Sequence, residues 1–486
     1  MKKMNLLVMS LVSAAALSFT SCSSNDELDD NNAGQNKVDK FYMTLTVQTP
    51  TSNGTRTAQK NPKDASKEES YVKSGTFYLV DANGKIAKSI TIDEQAWAEA
   101  KVPQQGTDGK TTLQVPVDKV TAGTKYSVYF LANATSDSPL TDVFTSDLAN
   151  KFAKKYSTAN NFAMFNENDA EVKGDSHTVV FTSDNKDANS PAKVSDIIKI
   201  DRLTARIDEP TSEATEIKAY AEDAKATEAE KKANEDAIKA VKGVTLTRYA
   251  ISNVANQTNV MQKWTDATTL SIPTGITYFQ PTTEFGTKTL LQNYNYFNAV
   301  TTDKSHKDYV FENNSKDAAT SMYFEYTVEL NKDYKTNADF EDGTFYRYNK
   351  VIYSRIQDII NDYKDQKAIF DGKDAATVVA ELKAAKAKAK DDTKDPEAKL
   401  DEFRKKYDIE VFNEGKTYYV QKIKDQYLGV ENTIQRNSIY LLNVKNIFNV
   451  GAQVPNGGPD DRTLYYLEVE VSVNPWVLNS YDVDLK

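Results

Sequence analysis

The chain has 486 residues, with 39% hydrophobic, 10% aromatic and 27% charged side chains, which suits a folded protein of two or three domains and excludes a low-complexity one. Its formal net charge is −10 with no basic block, which argues against nucleic acid as a partner. The single cysteine, Cys22, excludes an internal disulfide, and the only histidines, His177 and His306, exclude a Cys/His zinc cage. A hydrolytic triad would have to use one of those two imidazoles. Both lie in polar stretches, DSHTVV and TTDKSHKDYV, and read as surface residues, so no metal or cofactor is expected.

The chain opens on MKKMNLLVMSLVSAAALSFTSC: two lysines, an apolar stretch, then small residues before Cys22. This is the pattern of a secretory signal with a lipoprotein-type cleavage site, so residues 1–22 are expected to be a signal ending at a lipidated Cys22. The apolar stretch is shorter than the ~20 residues of a membrane span. SSNDELDDNN, which follows, is acidic and cannot build a core, so it reads as a tether. In KFYMTLTVQTP, Phe41, Met43, Leu45 and Val47 are apolar at every second position, the pattern of a strand with one buried face. The polar stretch TSNGTRTAQKNPKDASKEES comes next, a loop open to proteolysis at its lone Arg56.

The body then reads as short strands separated by turns: GTFYLV before the Asn-Gly turn of DANGK, then TTLQVPVDKV, KYSVYFLAN and HTVVF. Asp81, Asn83 and Asp93 do not make an EF-hand loop, because Gly84 is misplaced for one. This pattern predicts a β-sandwich over 57–194, with a boundary near Ser195 after the polar SDNKDANSP. The Ala/Glu/Lys-rich stretch from Glu213 to Gly243 predicts a solvated helix or helical hairpin. A second helical stretch is expected over 351–408, with Ile352, Ile356, Ile359 and Tyr363 at helical spacing and a break at Pro396. Both read as exposed insertions, near 210–243 and 351–408, in a second sandwich over 195–475. SMYFEYTVEL, SIYLLNVKNI and RTLYYLEVEVSVNP supply its alternating strands.

Pro475 is expected to end the last of these strands. The tail WVLNSYDVDLK then starts a new apolar stretch, with Trp476 and Leu478 on one parity and Tyr481, Val483 and Leu485 on the other. It either packs on its own domain or pairs with another molecule. The two chain ends together favour the second reading. If the first strand were removed by cutting at Arg56, a groove of unpaired backbone and apolar side chains would remain, and such an edge takes up another strand. A head-to-tail contact of that kind gives an open filament.

These features together resemble the fimbrillins of Bacteroidales, most closely the shaft subunits of short fimbriae. The resemblance rests on the signal at Cys22, the strand followed by Arg56, VYFLANAT, IDRLTARI, RNSIYLLNVKNI and the terminal NPWVLNSYDVDL. It implies an all-β fold of two tandem transthyretin-like β-sandwiches, the second with α-helical insertions. It also implies a lipid such as palmitate on Cys22, holding the precursor in the outer membrane. Cleavage between Arg56 and Thr57 would remove the propeptide 23–56 together with the strand Phe41, Met43, Leu45 and Val47. The tail 476–486 would be the donor strand, with Trp476, Leu478, Tyr481, Val483 and Leu485 entering the next subunit's groove. The implied partners are neighbouring copies of the chain and accessory tip and anchor fimbrial proteins, at the cell surface, in support of adhesion and colonisation. Truncation after Asn474 is then expected to abolish polymers. The alternative is a surface-anchored lipoprotein that acts as a tip or anchor component or binds a glycan or protein. An enzyme is not expected, because no carboxylate pair stands out among the 70 acidic residues.

Overall fold

The computed structural model describes residues 39–49, 63–64, 66–102, 109–134, 140–149, 151–167, 177–221, 226–265, 269–279, 297–366, 369–391, 398–423, 425, 433–455 and 467–477. Strands dominate. In chain order, β1 (Lys40–Gln48) is followed by the two-residue β2 (Lys63–Asp64) and the short helix α1 (Lys67–Ser70). Then come β3 (Gly75–Val80), β4 (Ile86–Ile92), α2 (Glu94–Ala100), β5 (Lys110–Asp118), β6 (Lys125–Ala132), β7 (Met164–Asn166), β8 (Thr178–Val180), β9 (Ala192–Lys193) and β10 (Ile198–Arg202).

All of these strands except β2 form one nine-stranded sheet, in the order β9-β1-β10-β7-β6-β3-β4, with β5 on β1 and β8 on β6. Alternating residues of β1, β3, β5 and β6 converge on one core around Phe77, Trp97, Val115 and Phe130. Phe130 is sandwiched between stacked Phe77 and Trp97. An ion pair from Lys88 of β4 to Asp118 of β5 brings the two ends of the sheet together, so it curls back around this core. Gly75 is required here. A Cβ on it would lie 2.4 Å from the Phe130 ring.

The chain passes to a second body through β11 (Ala205–Asp208) and β12 (Thr211–Ser212). The switch falls between Arg202 and Ala205 and not near Ser195, because β10 still pairs with β1 and β7 of the first sheet. Helix α3 (Glu228–Ala240) leads into β13 (Val241–Ser252), followed by β14 (Lys307–Val310) and β15 (Ser321–Leu330). A three-stranded unit, β16 (Phe345–Tyr348), β17 (Val351–Tyr353) and later β18 (Glu410–Phe412), brackets helices α4 (Ile356–Asp362), α5 (Ala375–Asp391) and α6 (Ala398–Tyr407). The chain closes with β19 (Lys416–Lys422), β20 (Ser438–Ile447) and β21 (Leu467–Val477). One sheet runs β2-β21-β20-β11-β14, with β12 on β20; another runs β13-β15-β19, with Asn298–Ala299 on β13. The two sheets share one core, which includes Phe324, Tyr326, Tyr440, Leu442 and Val444.

Three further expectations change. The helix expected from Glu213 begins only at Glu228, where Thr227 caps it reciprocally with Glu230. Before it, the Glu213 and Lys218 N–H groups donate to Val444 and Ile447 of β20 at 2.8 and 2.7 Å, so ladder pairing overrides local helix propensity. The helices are also not merely solvated insertions. Ala233, Ala237 and Ala240 bury one face of α3. Helices α4–α6 enclose a separate core of Ile356, Ile359, Val378, Leu382, Leu400 and Phe403, closed by Tyr346 and Val411 of the small sheet. Arg347 ties this unit to the second body, donating to both Glu410 carboxylate oxygens at 2.6 Å and to the carbonyls of Val450 and Gly451. Finally, β21 runs through Pro475, which pairs with Ser438. Proline is tolerated there because, among the described residues, β21 is paired on its other side only at its last two residues, where Lys63 meets Trp476 and Asp64 meets Val477.

Candidate functional site: the slot filled by the first strand

Strand β1 lies between two partners. It is antiparallel to β5 along its whole length, from Lys40 opposite Asp118 to Gln48 opposite Lys110. On its other side it runs parallel to β9 at Met43 and Thr44 and to β10 at Val47 and Gln48. Phe41, Met43, Leu45 and Val47 are 2, 0, 3 and 2% exposed. Burial of four such side chains is worth about 6–12 kcal/mol before entropy. Phe41 packs on Phe181 with ring centroids 5.5 Å apart, and Lys186 both pairs with Asp39 and lies over the Phe41 ring.

Backbone direction alternates along this ladder. The Thr49 N–H donates to Gly109 O (3.1 Å), so odd-numbered residues of β5 face β1. The Val102 N–H donates to Thr112 O (3.0 Å), so even-numbered ones face away. The Val194 N–H donates to Thr44 O (3.0 Å), so the polar residues of β1 direct their main chain to the β9–β10 side. The slot is therefore lined on both walls by main-chain groups that only an extended segment can satisfy.

Residues 63–64 and 66–70 are held elsewhere. Glu69 of α1 is 2% exposed. It accepts from Arg206 Nη1 at 2.9 and 3.0 Å and from the Tyr309 hydroxyl at 2.7 Å, with Lys307 at 3.4 Å. Burial pushes its carboxyl up, but Arg206, the Ser66 N–H, Tyr309 and Lys307 outweigh this and hold it down at about 2. Arg206 also chelates Asp208. Arg202, fully buried, donates to the Glu69 carbonyl, the Ser70 hydroxyl and Asn437 Oδ1. The N-terminal segment of the body is thus pinned where the two bodies meet, while β1 belongs to the first sheet alone.

The expected site residues fall into two groups. Phe41, Met43, Leu45 and Val47 come together in the slot, and Trp476 lies in β21 beside β2. Cys22, Arg56, Thr57, Leu478, Tyr481, Val483 and Leu485 lie outside the described residues. His177 is not a surface residue. It is 8% exposed, sits at φ +59° and shares a 2.8 Å hydrogen bond with the Ile197 carbonyl, holding the irregular 194–197 segment beside β1. Burial pushes its imidazole pKa down. The Glu69–Arg206 cluster was missed from sequence. The available signal was the pair of arginines inside the apolar run IDRLTARI, since charges in such runs need buried partners. Among the described residues, no group of three His, Cys, Asp or Glu could hold a metal, and no helix is long and apolar enough to cross a membrane.

Residues 410–482 match the family described as major fimbrial subunit protein type IV, fimbrillin, C-terminal. This segment carries β18 to β21. No curated protein matches the chain in sequence. Among solved structures, it is similar to a candidate cell adhesion protein from Parabacteroides distasonis ATCC 8503, at 14% identity and a TM-score of 0.44, covering 90% of this chain and 98% of that one. A fimbrilin from Porphyromonas gingivalis W83 superposes at 11% identity and a TM-score of 0.42, covering 92% and 99%. A fimbrial assembly protein from Parabacteroides distasonis ATCC 8503 does so at 10% identity and 0.35, covering 90% and 100%.

Proposed function

We propose, from the match of residues 410–482 to the fimbrillin C-terminal family, that the chain is a structural, non-enzymatic subunit of a cell-surface fimbria, built into the shaft by strand exchange. Its two bodies are read as tandem transthyretin-like sandwiches. The observation that carries the proposal is the position of β1: a buried, central strand whose only covalent link to the body is the stretch that contains Arg56. Loss of that strand by cleavage at Arg56–Thr57 opens a slot that fits an extended apolar segment. The tail after Val477, with Leu478, Tyr481, Val483 and Leu485, supplies one from a neighbouring copy. Export as a lipoprotein through Cys22 brings the precursor to the outer membrane, and accessory subunits complete the fibre at its ends.

The test is N-terminal sequencing of the protein sheared from cells, together with its migration on an unboiled gel. A start at Thr57 and a ladder of multimers is the expected result. A lipid-blocked start at Cys22 and a single band would place the chain as an anchored tip or base component. Arg56→Ala should give that blocked, monomeric form. Arg202 offers no competing cut, because its side chain is wholly buried and three times hydrogen-bonded.

A further inference from the structure

We infer that β5 is a conditional strand, ordered by whatever occupies the β1 slot, and that it forms the movable wall which closes on an incoming segment. The inference rests on the strand-exchange reading for its biological use, but its structural content is independent of it. Among the described residues, β1 is the only strand that pairs with β5. The main-chain groups of Thr111, Leu113, Val115 and Val117 all face β1, and these residues lie opposite Val47, Leu45, Met43 and Phe41. The side-chain links run the same way: Thr46 to Thr112 (2.7 Å) and Thr44 Oγ1 to Leu113 O (3.1 Å).

The far edge of β5 cannot replace these contacts. It meets residues 101 and 102 near Thr112, and at its other end Pro116 has no N–H to offer a second strand. β5 is also held by the Asp118–Lys88 ion pair, by the Gln114 amide on Ala188 O, and by the apolar faces of Leu113, Val115 and Val117, with helix α2 packed against it. The opposite wall differs. On the β10 side, the pairing to β7 is independent of β1, and His177 and the Ser195 N–H on Thr178 O hold the 194–197 segment, whereas the two-residue β9 pairs with no strand but β1 among the described residues. The β10 part of that wall is therefore preformed, while β5 follows the occupant along its whole length. That occupant must be extended, run in the direction of β1, and carry apolar side chains at alternate positions.

The test is hydrogen exchange on the full chain, resolved amide by amide, before and after cutting with an arginine-specific protease. In the uncut chain, the Leu113, Val115 and Val117 amides should exchange in step with those of Met43 and Leu45. Once β1 has left, they should exchange at least tenfold faster, and a synthetic Lys40–Gln48 peptide should restore their protection. The amides of β3 and β6 should change little throughout. Protection of β5 that persists when the β1 amides have lost theirs would overturn the inference. If the cut chain retains β1, strand exchange fails as a function, and the uncut comparison still decides whether β5 depends on β1.

Discussion

At the scale of single residues, the buried charges between the two bodies give the sharpest consequences. Glu69 is held at about 2 in the folded chain, below its ordinary value of 4.5. A depressed carboxyl contributes stability that is complete above the unfolded value and is lost as pH falls through the folded one. Stability should therefore drop between about pH 4.5 and 2, by an amount on the order of 3 kcal/mol for this group. Glu69→Gln should cost a similar amount at pH 7 and flatten that part of the pH profile, as urea unfolding at pH 7, 4 and 3 would show. Equal losses at all three pH values would contradict the assignment. Arg202 and Arg206 were readable in the sequence as charges inside an apolar run. Their partners were not, because Glu69 and Asn437 lie more than a hundred residues away on either side and only the fold brings them together.

At the scale of elements, the strand-exchange proposal makes β1 the difference between two forms of the molecule, a full-length and a processed chain. Leu45→Ala leaves a cavity in the first core and should cost about 2–5 kcal/mol in the full-length chain. In the processed chain, which lacks β1, the same substitution has no site to act on and thermal unfolding should match the wild type. A destabilised processed form would show that β1 stays with the body. The period-two pattern made this strand legible, as it did β6, β15, β20 and the first part of β21. It did not reveal that β20 is two-faced. Tyr440, Leu442 and Val444 enter the second core while Ile439 enters the first, so one strand joins the two bodies. The start of α3 was misplaced because Ala, Glu and Lys favour a helix locally, while the ladder bonds to β20 come from residues over two hundred positions away.

At the scale of the whole molecule, β1 and β21 lie in different sheets, and Lys63 and Asp64 sit beside β21. Trp476 and Val477 pair with Lys63 and Asp64, so truncation after Asn474 removes paired residues of the last strand. Truncation after Val477 is therefore a cleaner test than truncation after Asn474. On the strand-exchange proposal it should preserve the monomer's thermal stability within about 0.5 kcal/mol and abolish multimers on an unboiled gel. Persisting multimers would mean that the subunits associate through another surface.

The sequence alone determined what depends on short-range pattern: the alternation of β1, and the expectations of a signal ending at Cys22, a leash cut at Arg56 and an apolar donor tail. Their order along the chain was enough for the resemblance to fimbrillins that the C-terminal match over 410–482 supports. The tertiary structure decided what depends on distant partners. It showed that β1 is central and not an edge strand, that β5 pairs with no other strand among the described residues, and that the Arg202 side chain is buried. It also gave the inserted helices their own core. Strand pairing and ion pairing join residues far apart in the chain, and no local periodicity records which strand or which carboxylate will be the neighbour.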